Sequence, residues 1–113
     1  MTTKYSIGID FGTLSGRTVL VDLDDRKELD VEICNYPHAV MESQLPSGLK
    51  LPADFALQHP DDYLHAIKHT VPELLKRNNI SPDQIIGIGI DFTACTMMCV
   101  DKEGTPLCFK EEY

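Results

Sequence analysis

The stretch Ile7-Gly8-Ile9-Asp10-Phe11-Gly12-Thr13-Leu14-Ser15-Gly16-Arg17 constrains the fold more than any other part of the chain. An apolar run leads into it, and a second, Thr18-Val19-Leu20-Val21-Asp22-Leu23, leads out. Two such runs around a glycine-rich turn predict a β-hairpin. The turn holds more than topology requires: a carboxylate at the strand end, two glycines, two hydroxyls and an arginine. Glycine leaves backbone N–H donors open, hydroxyls add more, and a carboxylate can hold hydrated Mg²⁺. The same groups therefore suit a metal-bound phosphate. On the residues alone, an ordinary turn whose Asp10 and Ser15 satisfy nearby backbone groups stays open beside that reading.

The remainder of the chain places this hairpin in a sheet. Residues 4–10 and 17–24 form its arms, and Asp24-Asp25-Arg26-Lys27 makes a polar turn. Leu29, Val31 and Ile33 then alternate with Asp30, Glu32 and Cys34, the period of a half-exposed strand. These three strands predict an antiparallel meander. From Ala39 to His59 the pattern dissolves around Pro46, Gly48 and Pro52, a loop long enough to be functional, with Phe55, Ala56 and Leu57 expected to tether its end to the core.

A helix is expected from Pro60 to Arg77. Proline suits its first turn, Asp61 and Asp62 its positive end, Lys76 and Arg77 its negative end. Leu64, Ile67, Val71, Leu74 and Leu75 give it an apolar face, Glu73 can pair with Arg77, and Pro72 predicts a bend or break near Lys68 to Pro72. Ser81 to Gln84 reads as a capped turn. Then Ile85-Ile86-Gly87-Ile88-Gly89-Ile90-Asp91 is a near-continuous apolar run, the pattern of a strand covered on both faces. Reached through a helix, it is expected parallel to the first strand, with Gly87 and Gly89 admitting a close neighbour. Residues 96–101 and 107–109 predict a closing hairpin about Asp101-Lys102-Glu103-Gly104.

Composition narrows the function classes. A chain of 113 residues is one domain or part of one. Its net charge of −8 argues against a nucleic-acid face and an anionic membrane surface, and no apolar run reaches the ~20 residues of a membrane span. The start, Met1-Thr2-Thr3-Lys4-Tyr5, enters a strand at once, so no signal peptide is expected and the cytoplasm is the expected compartment. Cys34, Cys95, Cys99 and Cys108 match no metal-binding spacing; Cys34, Cys99 and Cys108 are expected as reduced thiols in apolar surroundings. His65 and His69 lie four apart but lack a third ligand, so a solvated helix face is expected.

If the strands ending at Asp10 and Asp91 are parallel neighbours, both acids open at one carboxyl edge, where α/β sheets bind ligands. The loop Phe92-Thr93-Ala94-Cys95-Thr96 adds small polar groups there and leaves room for a small polar ligand.

These residues carry a resemblance. The 7–17 stretch is similar to the first phosphate motif of the FGGY carbohydrate kinases, in the actin, Hsp70 and hexokinase superfamily. With Leu57-Gln58-His59-Pro60-Asp61-Asp62-Tyr63-Leu64 and Gly87 to Thr96, the likeness runs through nearly all of the chain. It implies an α/β fold with a ribonuclease H-like mixed sheet, the incomplete first domain of an actin-like ATPase fold. It implies ATP and Mg²⁺ as cofactors: Asp10 on the metal, and Gly12, Thr13, Ser15 and Arg17 on the ATP phosphates. Thr93, Ala94 and Cys95 align with the family's sugar-contacting part.

The sequence departs from the family in three places. Glycerol kinase has a second threonine where Leu14 stands and an Arg-Glu pair where Ala94-Cys95 stands; close relatives more often have tryptophan for Phe55, a conservative change. The smaller pair suits a five-carbon acceptor, so the resemblance implies ATP-dependent phosphorylation of L-ribulose to L-ribulose 5-phosphate, as in L-arabinose catabolism. Residues 1–113 would be the sugar- and phosphate-facing wall of the first domain, inactive alone. The general base and the second domain would lie beyond residue 113, and the unclosed sheet edge leaves homodimer formation open. Another FGGY sugar kinase, or a non-catalytic nucleotide- or sugar-binding module, is the alternative.

Overall fold

A computed structural model describes residues 2–94, 96–110 and 112. Strands β1 (Tyr5–Phe11), β2 (Ser15–Asp22) and β3 (Lys27–Asn35) form the expected antiparallel meander. The short pair β4 (Val40–Met41) and β5 (Leu57–Gln58) precedes helix α1 (Pro60–Arg77), after which β6 (Ile85–Phe92) returns to pair in parallel with β1. The main sheet therefore runs β3-β2-β1-β6. This is the mixed sheet that the sequence predicts.

Helix α1 has the expected bounds but a different buried stripe. Tyr63, Ala66, Thr70 and Leu74 are buried, Ile67, Val71 and Leu75 flank them, and Leu64 is 53% exposed. Small residues set this register. A Cβ on Gly16 would come within 2.8 Å of the Ala66 Cβ, so only glycine lets the helix lie this close to β2. Beside that contact the Thr18 and Thr70 hydroxyls meet at 2.6 Å, a buried polar pair satisfied internally. The helix also runs unbroken through Pro72, so of the expected bend or break the break does not occur. Proline removes one hydrogen bond there, and the buried Thr70 and Leu74 on either side hold the flanking turns to the sheet.

At the C-terminal end of α1, Arg77 makes the expected long ion pair with Glu73 and binds β3 more closely. It donates to Asp30 at 2.8 Å, Glu32 at 2.7 Å and the Val31 carbonyl at 3.0 Å, while Glu73 lies 4.0 Å away. The Arg77 and Asn78 hydrogen bonds hold the Asp30 carboxyl well below the usual carboxylate range.

Later parts of the chain depart further from expectation. Ile86, Ile88 and Ile90 are 59%, 59% and 58% exposed, because α1 lies over β2 and β3 and, among the described residues, leaves the same face of β6 largely uncovered. Nothing lies within 4 Å of a Cβ built on Gly87 or Gly89, so no close neighbour meets them among the described residues. The expected closing hairpin reduces to one bridge, Val100 to Pro106, and a 3₁₀ turn at Leu107–Phe109. The Asp101 carboxylate draws the Glu103 and Thr105 amides into a tight turn, and Pro106 has no N–H to continue a ladder. Cys34 is buried as expected, whereas Cys99 and Cys108 are exposed free thiols in that open segment. Phe55, Ala56 and Leu57 are exposed, and the long loop is anchored by Gln58 instead. No helix among the described residues is long and apolar enough to cross a membrane.

Candidate functional site

Parallel pairing of β1 with β6 sets Asp10 opposite Asp91 and Phe11 opposite Phe92. Both acid-bearing loops therefore open at one edge. On the other side of β1, Asp10 faces Arg17 across the hairpin. The charged trio lines a cleft of about 380 Å³ on the sheet face away from α1, with Gly8 and Gly89 side by side in its floor. A Cβ on either glycine would meet nothing within 4 Å, so the floor is open.

The β1–β2 turn separates this cleft from a second. Its own closure is the Gly12 N–H donating to the Ser15 carbonyl at 2.9 Å, and a Cβ on Gly12 would press that oxygen at 3.1 Å. Three successive carbonyls of the turn are held by other elements. The Gln58 Nε2 donates to the Thr13 oxygen at 2.6 Å and, more weakly, to the Gly12 oxygen at 3.5 Å; the Tyr36 N–H donates to the Leu14 oxygen at 2.9 Å. Among the described residues, the Thr13 and Leu14 N–H groups reach no backbone carbonyl.

The second cleft, about 410 Å³, has Thr13, Gln58, Tyr63, Thr93, Ala94, Thr96 and Cys108 among its lining residues. Thr93 is oriented by β1: its N–H and its Oγ1 both donate to the Phe11 carbonyl at 3.0 Å. Thr96 closes the loop by donating its hydroxyl to the Thr93 carbonyl at 2.7 Å. Cys95 lies outside the described residues. The candidates for phosphate contact are thus divided: Arg17 lines the charged cleft beside Asp10, Thr13 lines the small-polar one, and Gly12 and Ser15 close the turn between.

Gln58, Tyr63 and Cys108 line the second cleft without a site role having been expected of them, whereas Thr96 belongs to the expected small-polar loop. Gln58 carried one usable signal, its place two residues before the proline that opens α1. Behind it, Phe11, Tyr36, Tyr63 and Phe92 pack edge-to-face and stacked, at 4.5 to 5.7 Å between ring centroids. Burial, followed by the neighbouring Tyr63 and Asp10, pushes the Tyr36 phenol up to about 12, and among the described residues its buried hydroxyl meets no partner. Burial also raises Tyr63, helped by the charge of Asp62.

His38, His59 and Asp62 bring ligand-type atoms within 4.8 Å of one another. Their bonds are already made. The His38 Nδ1 pairs with the buried Asp62 Oδ1 at 2.6 Å, and the His59 Nδ1 accepts the Asp61 N–H as the helix cap. The rings stack at 4.1 Å and 14°, a geometry that offers no common in-plane point to an ion. The cluster clasps the exit of β3 to the start of α1. His65 and His69 sit exposed on α1, as expected.

A mixed sheet that brings two strand-end acids and a glycine-rich turn to one edge has the layout in which α/β sheets bind ligands. Residues 5–109 match the N-terminal domain of the FGGY family of carbohydrate kinases, and the chain belongs to that family. Its curated relatives include the ribulokinases of Halalkalibacterium halodurans, 49% identical over 100% of this chain, and Shouchella clausii, 52% identical over 94%. The chain spans only 20% and 19% of those two relatives' lengths. Among solved structures, a gluconate kinase from Lactobacillus acidophilus superposes with a TM-score of 0.72 at 20% identity, covering 94% of this chain and 19% of its own. A xylulose kinase from Brucella ovis gives 0.67 at 20% identity, covering 89% and 19%. Both share the fold.

Proposed function

We propose that this chain is the sugar- and phosphate-facing wall of an ATP-dependent kinase that phosphorylates the terminal hydroxyl of L-ribulose. The observation that carries the reading is the in-register pairing of Asp10 with Asp91, which sets the charged cleft beside the small-polar one at a single edge. Identity of 49% and 52% with ribulokinases over this segment favours ribulose as acceptor. The sugar would lie against Thr93 and Ala94, with Cys95 adjoining.

The donor set fits Mg²⁺ and ATP. Asp10 presents carboxylate oxygens on the charged cleft, and Mg²⁺ takes one or two carboxylates while keeping several waters. Asp10 would hold the hydrated ion; Gly12, Thr13, Ser15 and Arg17 would hold the phosphates of ATP. When bound, the ion neutralises charge on the transferred phosphoryl group, and phosphoryl transfer depends on such positioning and neutralisation. The proton of the sugar hydroxyl would be taken by a residue beyond Tyr113, so residues 1–113 alone would be inactive. In this reading the intact enzyme works in the cytoplasm as a step of L-arabinose use.

The experiment is a panel on the full-length enzyme with L-ribulose, D-ribulose, D-xylulose and glycerol. L-Ribulose is expected to give the highest kcat/KM. A preference for another pentulose would move the chain to a sister kinase without disturbing the phosphate assignment.

A further inference from the structure

Gln58 sits where three elements meet. Its backbone is held in β5, paired with Val40, and α1 begins two residues later at Pro60. Its side chain makes contacts at both ends: Oε1 accepts from the Tyr63 hydroxyl at 2.6 Å, and Nε2 donates to the Thr13 carbonyl at 2.6 Å and towards the Gly12 carbonyl at 3.5 Å. One amide orientation alone satisfies this set. Reversed, Gln58 would press an oxygen against the Thr13 oxygen, two acceptors with no proton between them.

The consequence passes through the peptide planes. No peptide bond among the described residues is cis, and in a planar trans peptide the N–H points opposite to the preceding C=O. Drawing the Gly12 and Thr13 oxygens towards Gln58 therefore turns the Thr13 and Leu14 N–H groups the other way. Those are the two amides that reach no backbone carbonyl among the described residues. Successive N–H groups turned to one side form a nest for an anion.

We propose that Gln58 is a positioning residue for phosphoryl transfer: it fixes the peptide planes of the β1–β2 turn so that the Thr13 and Leu14 amides face the transferred phosphate. The inference rests on the reading of that turn as the phosphate site. It separates Gln58 from the sugar contacts, although the residue lines the same cleft as Thr93 and Ala94. Tyr63 is the brace, donating its hydroxyl to the Gln58 Oε1 at 2.6 Å.

The test uses the full-length enzyme, with hydrogen–deuterium exchange followed in the peptide spanning Gly12 to Ser15. Mg²⁺ and the non-hydrolysable β,γ-imido analogue of ATP are the probe, and L-ribulose kinetics are measured in parallel. In the parent protein the analogue is expected to slow exchange in this peptide. In Gln58→Leu that slowing is expected to be lost, with kcat down roughly 100-fold, the scale of a misplaced reacting group, and the KM for sugar unmoved. Gln58→Glu keeps the shape and the Tyr63 contact but sets an oxygen against the Thr13 carbonyl; it is expected to behave alike and decides the matter should Gln58→Leu not fold. Slowing in the parent that persists in the variants overturns the inference alone. A raised sugar KM with unchanged kcat also overturns it, by making Gln58 a sugar contact. No slowing in the parent protein overturns the phosphate reading, and the inference falls with it.

Discussion

Strands β1 and β6 contain the same five residues, Ile-Gly-Ile-Asp-Phe, at 7–11 and 88–92, and they pair residue for residue in parallel. Their environments could hardly differ more. Ile7, Ile9 and Phe11 are 2%, 4% and 1% exposed, whereas Ile88, Ile90 and Phe92 are 59%, 58% and 42% exposed. Asp10 has Arg17 as a cross-strand neighbour and Asp91 stands at the sheet's outer strand. The difference comes from neighbours, not from the strands. Gly16 lets α1 approach the meander, and nothing equivalent lies over β6 among the described residues. Identical strands can thus serve as a core and as an uncovered flank.

The largest test of this comparison is functional. In the full-length enzyme, Asp10→Asn is expected to lower kcat by about 10²–10³-fold, the scale for removing a group that stabilises developing charge. Asp91→Asn, at the equivalent strand position, is expected to cost far less. Equal losses in steady-state assays would mean that the two carboxylates act as one metal site and that Arg17 does not distinguish them.

Next comes stability, measured by urea denaturation of residues 1–113. Ile9→Ala removes a buried side chain and is expected to cost about 2–5 kcal/mol. Ile90→Ala, at the matching but exposed position, is expected to stay within about 0.5 kcal/mol. A large loss at Ile90 would show that β6 is covered in solution, and size-exclusion chromatography would then ask whether a second copy covers it.

The glycines sharpen the comparison at finer scale. Gly16→Ala places a methyl 2.8 Å from the Ala66 Cβ, and forced overpacking of this kind costs about 1–3 kcal/mol. At Gly89, where a Cβ would meet nothing within 4 Å, alanine is expected to be neutral or slightly stabilising, since it lowers the entropy of the unfolded chain. Thermal unfolding of the two variants measures the difference.

How far the sequence was legible follows the same division. The meander, the bounds of α1 and the parallel return to β1 were readable, because each rests on local periodicity and capping or on the handedness of a crossover. The acids at the shared edge were readable for the same reason. Burial was not. An apolar run such as Ile85 to Ile90 states what a strand can tolerate, and its cover depends on where α1 settles, which the Gly16–Ala66 approach decides. The part played by Gln58 was not legible, although its stretch carried the family resemblance, because it is a long-range contact, 45 residues from Thr13, with no local period to mark it.

The smallest expected effect concerns how α1 is fastened on the side away from β6. Arg77 joins the helix to β3 through Asp30 and Glu32, a partly exposed cluster whose contribution solvent screens. Hydrogen bonds from Arg77 and Asn78 depress the Asp30 carboxyl below its ordinary 3.8. A carboxylate depressed on folding contributes stability above its unfolded pKa, and that contribution fades as pH falls towards the folded value. The stability gap between the parent chain and Asp30→Asn is therefore expected to be flat from neutral pH down to about pH 5 and to shrink below about pH 4. Urea titrations across that window measure it. A gap that stayed constant into acid would mean that Asp30 acts through its hydrogen-bond geometry, which asparagine partly keeps, and that charge plays no part in holding α1 over the meander.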